Sequence, residues 1–154
     1  MSKYVWYFAY GANLDLNEIK KRIGPVKTIL RAQLPGYRLT FRGYSRRWDG
    51  AIADIEKAEG SIVYGVLYKI SIEQLKKLDK YEGYPHKYIR KQVNVVTEDN
   101  SVITAVTYTQ VLGKDVDKRF KPSKLYLNTI RKGLITHRYP LKLVNSYLKN
   151  AFQS

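Results

Sequence analysis

β-Prone segments follow one another through the middle of this chain, separated mainly by short turn sequences. The turn dipeptide Pro35-Gly36 separates two of them, and the polar run Glu98–Ser101 joins another pair as a hairpin. Strands joined by tight turns pair antiparallel, and six or seven short strands favour a sheet that curls into a barrel. We therefore predict an α+β fold: a curled, mostly antiparallel, barrel-like sheet with peripheral helices. The predicted strands are residues 4–10, 27–34, 37–42, 51–55, 61–70, 88–97 and 102–109.

The size of the chain favours a single domain, which we assign to residues 1–154. The sequence has 154 residues, of which 44% are hydrophobic and 27% charged, a balance typical of globular proteins. It contains no internal repeat, low-complexity tract or Gly/Ser-rich linker that would mark a domain boundary. A chain of this length can bury an ordinary hydrophobic core.

Cysteine and histidine usage excludes several kinds of site. The chain has no cysteine and only two histidines, His86 and His137, so it has no disulfide, thiolate metal site or cysteine nucleophile. A metal site would need mostly oxygen ligands, and a Ser-His-Asp triad would have two candidates for its base.

The sequence lacks a run of about 18 apolar residues, and its polar start, Met1-Ser2-Lys3, does not resemble a signal peptide. We therefore expect a soluble, cytoplasmic protein.

Four helices are predicted around the sheet from apolar spacing and from capping residues. Ser71 is followed three residues later by Gln74, which matches a capping box. Ser123 can cap a later helix, and Tyr139-Pro140 places proline at the first position of the last one. The predicted helices are residues 16–23, 72–82, 124–133 and a final segment that begins at 140.

The helix at 72–82 carries a carboxylate within its apolar stripe. In helical projection Glu82 falls between Ile72 and Leu78, on the face that should turn inward. Burial disfavours an ionised carboxyl and raises its pKa towards neutrality, which suits a general acid/base. Alternatively, the helix frays before Glu82, or a basic side chain pairs with it structurally. Asp79 shares the same face and is a second candidate for the acid, or a like charge that raises the pKa of Glu82.

A second candidate site is the turn from Tyr10 to Leu14, between the first strand and the first helix. Gly11 permits a positive φ and close approach by a ligand, and the helix N-terminus that follows offers free N–H groups to a carboxylate or phosphate. The turn lacks the second glycine of a dinucleotide fingerprint and the GK[ST] of a P-loop. The alternative is an ordinary strand-to-helix turn in which Asn13 caps the helix.

Positive charge is concentrated near the end of the chain. The formal net charge is +15, and residues 118–154 contain nine basic side chains and no acidic one. Such a region could contact nucleic acid, helped by stacking on some of the 14 tyrosines. Leu, Ile and Val residues recur among these charges at helical spacing, which is more typical of the solvated face of packed helices. We expect nucleic-acid binding no stronger than non-specific. The nine are Lys118, Arg119, Lys121, Lys124, Arg131, Lys132, Arg138, Lys142 and Lys149.

Several short motifs occur in an order that is similar to the γ-glutamylcyclotransferase-like (AIG2-like) family. The run Tyr7-Phe8-Ala9-Tyr10-Gly11-Ala12-Asn13-Leu14 resembles the family's YFAYGSNL signature. Each motif is weak alone, but the ordered set spans residues 4 to about 148 and is specific. The other resembling segments are Leu34–Tyr37, Gly65–Tyr68, Leu78–Pro85 (the family's LDxxEG), Pro122–Tyr126 (its PSxxY) and Gly133–Pro140.

This resemblance implies a mixed α+β, barrel-like domain and a set of site residues. Glu82 would be the catalytic acid/base carboxylate, and Tyr126 would supply a hydroxyl that contacts the substrate. Position 12 is Ala where the family usually has Ser, so a hydroxyl contact from that side chain is missing while backbone contacts would survive. The residues assigned to substrate binding on this basis are Tyr7, Phe8, Ala9, Tyr10, Gly11, Ala12, Asn13 and Tyr126.

The implied reaction is the cyclisation of a γ-glutamyl amide. The substrate's α-amine attacks its own γ-carbonyl, closes 5-oxoproline and expels the free amine, so no enzyme nucleophile, metal or organic cofactor is needed. Glu82 would take a proton from the α-amine and deliver one to the leaving nitrogen, while N–H groups of the turn at 10–13 hold the α-carboxylate.

Two other interpretations stay open: a basic nucleic-acid-binding barrel, and a non-catalytic member of the same fold that binds an amino-acid-like ligand. In the first interpretation, residues 118–154 would be the contact surface. The presence of Glu82 argues against the second interpretation, whereas Ala12 at the usual position of Ser leaves it open. The sequence is compatible with an amino acid, a peptide, a polyamine or a larger amine as the leaving group, and with a homodimer.

Overall fold

Five strands form a closed barrel in the computed structural model, which describes residues 3–111 and 120–153. Around the barrel the strands lie in the order β1-β3-β2-β4-β5. All neighbours pair antiparallel except β1 and β5, which close the barrel in parallel where Tyr7 faces Val106. The predicted barrel-like α+β fold is confirmed. The strands are β1 (Tyr4–Ala9), β2 (Thr28–Ser45), β3 (Gly50–Ser71), β4 (Tyr88–Thr97) and β5 (Val102–Gln110).

The strand count corrects the sequence prediction of six or seven short strands. The segments predicted at 27–34 and 37–42 form one strand, β2, and those at 51–55 and 61–70 form another, β3. The pairing of β2 with β3 shifts register between Pro35 and Tyr37, with Gly36 at φ 81°. Proline lacks the N–H that a regular ladder needs, and glycine accepts this φ, so both suit a bulge. The dipeptide therefore bends a long strand and does not reverse the chain.

The hairpin of β4 and β5 agrees with its prediction. The two strands pair from Tyr88 opposite Gln110 to Val96 opposite Val102. In the turn between them, the Thr97 N–H donates to the Ser101 carbonyl at 2.9 Å, and Asn100 adopts a left-handed φ of 66°. Asparagine tolerates that conformation better than most residues.

Four helices pack around the barrel, as predicted. The Ser71 capping box is present, with the Gln74 N–H donating to Ser71 Oγ at 3.1 Å and the Ser71 N–H donating to Gln74 Oε1 at 2.9 Å. The third helix runs past its predicted end at Gly133. That glycine lies against Leu14, where an added Cβ would come within 2.6 Å of the leucine Cβ, so it allows close packing and does not end the helix. The helices are α1 (Leu16–Ile23), α2 (Ile72–Glu82), α3 (Lys124–Thr136) and α4 (Leu141–Gln153).

The apolar core fills the barrel and continues beneath α3 and α4. Phe8, Leu67 and Tyr68 are fully buried within it. Ile130 and Val144 are buried on the inner faces of α3 and α4, so these helices are amphipathic in the usual way.

None of the helices in the described part of the chain combines the length and the apolar character needed to span a bilayer.

The basic side chains near the end of the chain lie mostly on the wet faces of α3 and α4. Lys124, Lys132, Lys142 and Lys149 are exposed. This distribution agrees with the interpretation of a solvated helical face. Lys118 and Arg119, which belong to the same predicted patch, lie outside the described residues.

Candidate active site

A cavity of about 530 Å³ opens where the end of β1, the turn between β2 and β3, the end of α2 and the start of α3 meet. This size suits a small-molecule ligand. Its inner wall consists of buried residues: Tyr7, Tyr10, Ala12, Asn13, Ala53, Thr107, Tyr108 and Tyr126. Its mouth consists of exposed residues: Tyr44, Arg46, Arg47, Tyr81 and Lys87. Glu82 lines the cavity and is half-buried.

Glu82 is the last residue of α2, whose inward face brings it to the cavity. Burial raises the pKa of its carboxyl to about 7, against the opposing effects of the Arg22 charge and of a hydrogen bond from Asn13. That hydrogen bond is long, with 3.5 Å between Asn13 Nδ2 and Glu82 Oε1. Glu82 therefore holds a proton that it can exchange near neutral pH, as a general acid/base requires.

Asn13 fixes the position of the turn beside Glu82. Its Nδ2 donates to the Tyr7 hydroxyl at 2.9 Å, its Oδ1 accepts from Arg22, and its carbonyl accepts from the Tyr68 hydroxyl at 2.7 Å. The alternative that Asn13 caps the first helix is wrong. Asp15 caps α1 instead, accepting from the Asn17 N–H at 2.8 Å. The Asn13 side chain is thus committed to the site.

The turn itself is a short 3-10 helix, Ala12–Leu14, that follows Gly11. The Leu14 N–H donates to the Gly11 carbonyl and the Asp15 N–H to the Ala12 carbonyl, each at 3.0 Å. The N–H groups of Ala12 and Asn13, which begin the helix, have no partner within it. Gly11 has a φ of −114°, so it does not use the positive φ that glycine permits. A Cβ there would lie 3.4 Å from the Tyr126 hydroxyl, at ordinary contact distance, so larger side chains would enter the space beside that hydroxyl.

Tyr126 reaches the cavity from the first turn of α3. Its hydroxyl accepts from the Ala53 N–H at 2.8 Å, and its ring packs against Trp48 with 5.1 Å between the ring centroids. Burial raises the pKa of Tyr126 well above the usual tyrosine value. The side chain is therefore a neutral, fixed hydroxyl beside Gly11.

The structure brings most of the sequence-predicted site residues together. Glu82 and Tyr126 line one cavity together with Tyr7 and the turn at 10–13. Phe8 and Ala9 do not line it. Phe8 is fully buried against Gly65, where a Cβ would lie 2.8 Å from the phenylalanine ring, and Ala9 is 1% exposed. The structure therefore places these two residues in the core and not among the residues that line the cavity.

Asp79, the other carboxylate on the inner face of α2, is occupied elsewhere. Arg90 Nε donates to its Oδ1 at 2.9 Å, and the Tyr108 hydroxyl donates to the same oxygen. Asp79 does not line the cavity and does not contribute to the raised pKa of Glu82. The hypothesis that the like charge of Asp79 raises the pKa of Glu82 is therefore not supported.

His86, which follows Glu82 closely in the sequence, is exposed.

Sequence reasoning missed Arg22, whose side chain is 6% exposed and lines the cavity. It lies over the Tyr81 ring, 4.0 Å from the centroid, and pairs with Glu18 at 3.2 Å. In the sequence it belongs to the run Lys20-Lys21-Arg22, which is typical of an exposed helical face. Only the packing of α1 against α2 brings it to the site. Trp48, Arg46, Arg47 and Lys87 were also missed.

Comparison with known proteins agrees with the motifs and the fold. A family model described as "Gamma-glutamyl cyclotransferase, AIG2-like" matches residues 7–127. The chain belongs to this family. The match includes the turn at 10–13, Glu82 and Tyr126, and therefore the elements that form the cavity.

Relatives and solved structures extend the match to most of the chain. The gamma-glutamylcyclotransferase of Bos taurus is 32% identical over 155 residues, which cover 96% of this chain and 80% of the relative. The Homo sapiens gamma-glutamylcyclotransferase is 34% identical over 107 residues, 66% of this chain and 57% of that protein. A solved structure of a gamma-glutamyl cyclotransferase superposes with a TM-score of 0.85 at 28% identity, covering 95% of this chain and 87% of that one.

The described residues contain no cluster of three or more His, Asp or Glu side chains that could hold a metal ion. The polar groups that line the cavity of this family member are instead hydroxyls, one amide, one carboxyl and several cations. These are groups suited to proton transfer and to the binding of an anionic small molecule.

Proposed function

We propose that this chain is a γ-glutamylcyclotransferase that converts a γ-glutamyl amide into 5-oxoproline and a free amine. One observation carries the proposal: the family's carboxylate position is occupied by Glu82, whose pKa is raised to about 7 in a cavity that also contains the turn at 10–13. Membership of the family and the named relatives support the same reaction. Localisation in the cytoplasm and assembly as a homodimer stay predictions.

The main catalytic requirement of this cyclisation is proton transfer. The bond between the α-nitrogen and the γ-carbonyl carbon forms, and the amide bond between that carbon and the leaving nitrogen breaks. The α-ammonium loses two protons to become the lactam N–H, and the leaving nitrogen gains two to become an ammonium group. Because the nucleophile is tethered to the carbonyl, ring closure has a high effective molarity once the amine is deprotonated.

Glu82 is the group we assign to this proton transfer. A base with a pKa of about 7 is ionised in about half of the molecules at neutral pH and can both take and return a proton. Among the described residues that line the cavity, no other side chain is a carboxylate. Tyr7 and Tyr126 cannot substitute as bases, because burial raises the pKa of each well above its usual value.

The turn at 10–13 is the part of the site that we assign to the α-carboxylate. Its free N–H groups can donate charge-assisted hydrogen bonds, which do not depend on the side chain at position 12. The Tyr126 hydroxyl, close to Gly11, is a further donor for a carboxylate or carbonyl oxygen. With the α-carboxylate bound at the turn, the substrate's α-amine would lie on the side of Glu82.

The direct test is a screen of γ-glutamyl compounds for release of 5-oxoproline, with purified parent protein and a Glu82→Gln variant in parallel. Turnover by the parent and its loss in the variant are expected. The variant keeps the size of the side chain, and circular dichroism confirms that it folds. If no compound in the screen yields 5-oxoproline but one binds, the non-catalytic interpretation replaces this one.

The role of the turn is tested by binding. A Gly11→Val variant should lose affinity for 5-oxoproline in calorimetric titration, because the added branches would meet the Tyr126 hydroxyl and Ala53, each 3.4 Å from the first added atom. The matched control is Ala12→Ser, which adds one hydroxyl in the same turn and should bind as tightly as the parent. A folded Gly11→Val protein with parental affinity would place the ligand elsewhere.

A further inference from the structure

The mouth of the cavity is much more basic than its inner wall. Arg46, Arg47 and Lys87 are exposed there, and Arg22 lies deeper in the same cavity. The carboxylate that lines the cavity with them is Glu82. A bound molecule that extends from the inner wall to the mouth therefore meets several cations at its outer end.

Nearby carboxylates neutralise only part of this charge. Glu18 pairs with both Arg22 and Arg47, at 3.2 and 2.8 Å. Asp49 accepts from the Tyr44 hydroxyl at 2.8 Å. Neither carboxylate lines the cavity. Within the described part of the chain, Arg46 and Lys87 form no ion pair.

Aromatic contacts hold one of these cations in place. The Arg47 guanidinium lies over the Trp48 ring, 4.9 Å from its centroid, and donates to the Tyr81 hydroxyl. A guanidinium held in this way loses less conformational freedom when it binds a carboxylate than a free side chain does. The mouth thus presents one oriented guanidinium and two unpaired cations.

We infer that this enzyme prefers γ-glutamyl compounds whose amine half is an acidic amino acid, with a second carboxylate beyond the one on its α-carbon. This inference rests on the proposed function. With the γ-glutamyl group at the inner wall beside Glu82, the amine half must point to the mouth. Arg46 and Lys87 then face the additional carboxylate, and a basic amine half would be repelled.

The experiment compares γ-glutamyl-glutamate with γ-glutamyl-glutamine, two substrates of nearly equal shape that differ by one charge. A third substrate is γ-glutamyl-lysine joined through the α-amine of lysine, which leaves the side-chain ammonium free. Exposed ion pairs contribute modestly, so kcat/KM for the acidic compound should exceed that for its amide by roughly three- to tenfold at low salt. The lysine compound should be the poorest of the three. The preference should shrink as ionic strength rises, because salt screens exposed charges.

Two variants test whether the cations at the mouth of the cavity cause the preference for the acidic substrate. The double variant Arg46→Gln/Lys87→Gln leaves Arg47 at the mouth, but Arg47 is already paired with Glu18. In this variant the ratio of kcat/KM for the acidic substrate to kcat/KM for the amide should fall towards one. The control variant Lys132→Gln, an exposed charge on α3 away from the cavity, should keep the parental ratio.

The outcomes separate the two proposals. Equal kcat/KM for the acidic compound and its amide in the parent overturns the inference and leaves the proposed function standing. A preference that survives in the double variant also overturns the assignment to Arg46 and Lys87. Absence of 5-oxoproline from all three substrates, and from the wider screen of γ-glutamyl compounds, overturns the proposed function and the inference with it.

Discussion

Two carboxylates lie three residues apart on the inner face of α2, and their surroundings differ sharply. Asp79 accepts from Arg90 and from the Tyr108 hydroxyl, so its charge has a full set of partners. Glu82 accepts a single long hydrogen bond from Asn13 and faces a cavity. Both are half-buried, so exposure does not distinguish them. The number and strength of their partners do.

The comparison separates a structural carboxylate from one available for chemistry. The carboxylate of Asp79 is already bound by the Arg90 guanidinium and the Tyr108 hydroxyl, so it is held in the structure. Glu82 has no such strong partner, and burial raises its pKa to about 7.

The largest expected effect is on turnover. Glu82→Gln should lower kcat by roughly 10²–10⁴-fold, the usual contribution of a general acid/base. Asp79→Asn, an isosteric change in the same helix face, should leave kcat within a few-fold. Steady-state release of 5-oxoproline measures both. If the two variants lose activity equally, the distinction between them is wrong.

The second prediction concerns the pH dependence of stability. The pKa of Glu82 is raised in the folded state to about 7 from 4.5, so the folded protein binds more protons than the unfolded chain between these values, and stability falls as pH rises through that range. Glu82→Gln removes the effect. The free energy of unfolding of the variant minus that of the parent should therefore be about 2–3 kcal/mol larger at pH 8 than at pH 5, so the variant gains stability relative to the parent as pH rises.

Urea unfolding at the two pH values measures this difference. Glu73→Gln, an exposed carboxylate in the first turn of α2, is the control and should change little between pH 5 and pH 8. An unfolding free energy of Glu82→Gln that tracks the parent at both values would mean that Glu82 is not desolvated.

A smaller effect is expected when Asp79 loses its charge. Asp79→Asn keeps an acceptor for the Tyr108 hydroxyl but weakens the pair with Arg90, whose side chain is 36% exposed. Screening by water limits the loss to about 0.5–1 kcal/mol of unfolding free energy. Thermal unfolding compares the variant with the parent. An unchanged midpoint would show that the Arg90 pair does not contribute to stability.

The smallest effect is a displacement of the pH profile. The Arg22 charge lowers the pKa of Glu82, so Arg22→Met should move the acid limb of kcat/KM to higher pH, by up to about one pH unit. Lys20→Met removes an exposed charge from the same helix and should leave the limb in place. A limb that moves equally in both variants would point to the overall charge of α1 rather than to Arg22.

Local signals in the sequence predicted much of the fold and part of the site. The Ser71–Gln74 capping box, the apolar stripe of α2 and the glycine after Glu82 are all encoded within a few turns of one helix, and the structure contains each of them. The position of Glu82 at the cavity follows from these signals because helical geometry is regular.

The remainder depends on contacts between distant segments. Pro35-Gly36 has the same local chemistry in a turn and in a bulge, and only the pairing of β2 with β3 decides between them. Arg22 has no local feature that distinguishes it from Lys20 or Lys21. Its place in the site depends on α2, which lies about 50 residues later in the chain. No periodicity within α1 carries that information.

The hydroxyl groups of Tyr7 and Tyr126 favour one orientation of a bound ligand. Each oxygen already accepts a hydrogen bond, from Asn13 Nδ2 at 2.9 Å and from the Ala53 N–H at 2.8 Å, and neither hydroxyl donates to an acceptor among the described residues. Burial raises the pKa of both, so both keep their protons at neutral pH. We therefore expect a bound ligand to turn its oxygens to the tyrosines and its nitrogen to Glu82, since the reverse orientation would leave two buried protons without an acceptor.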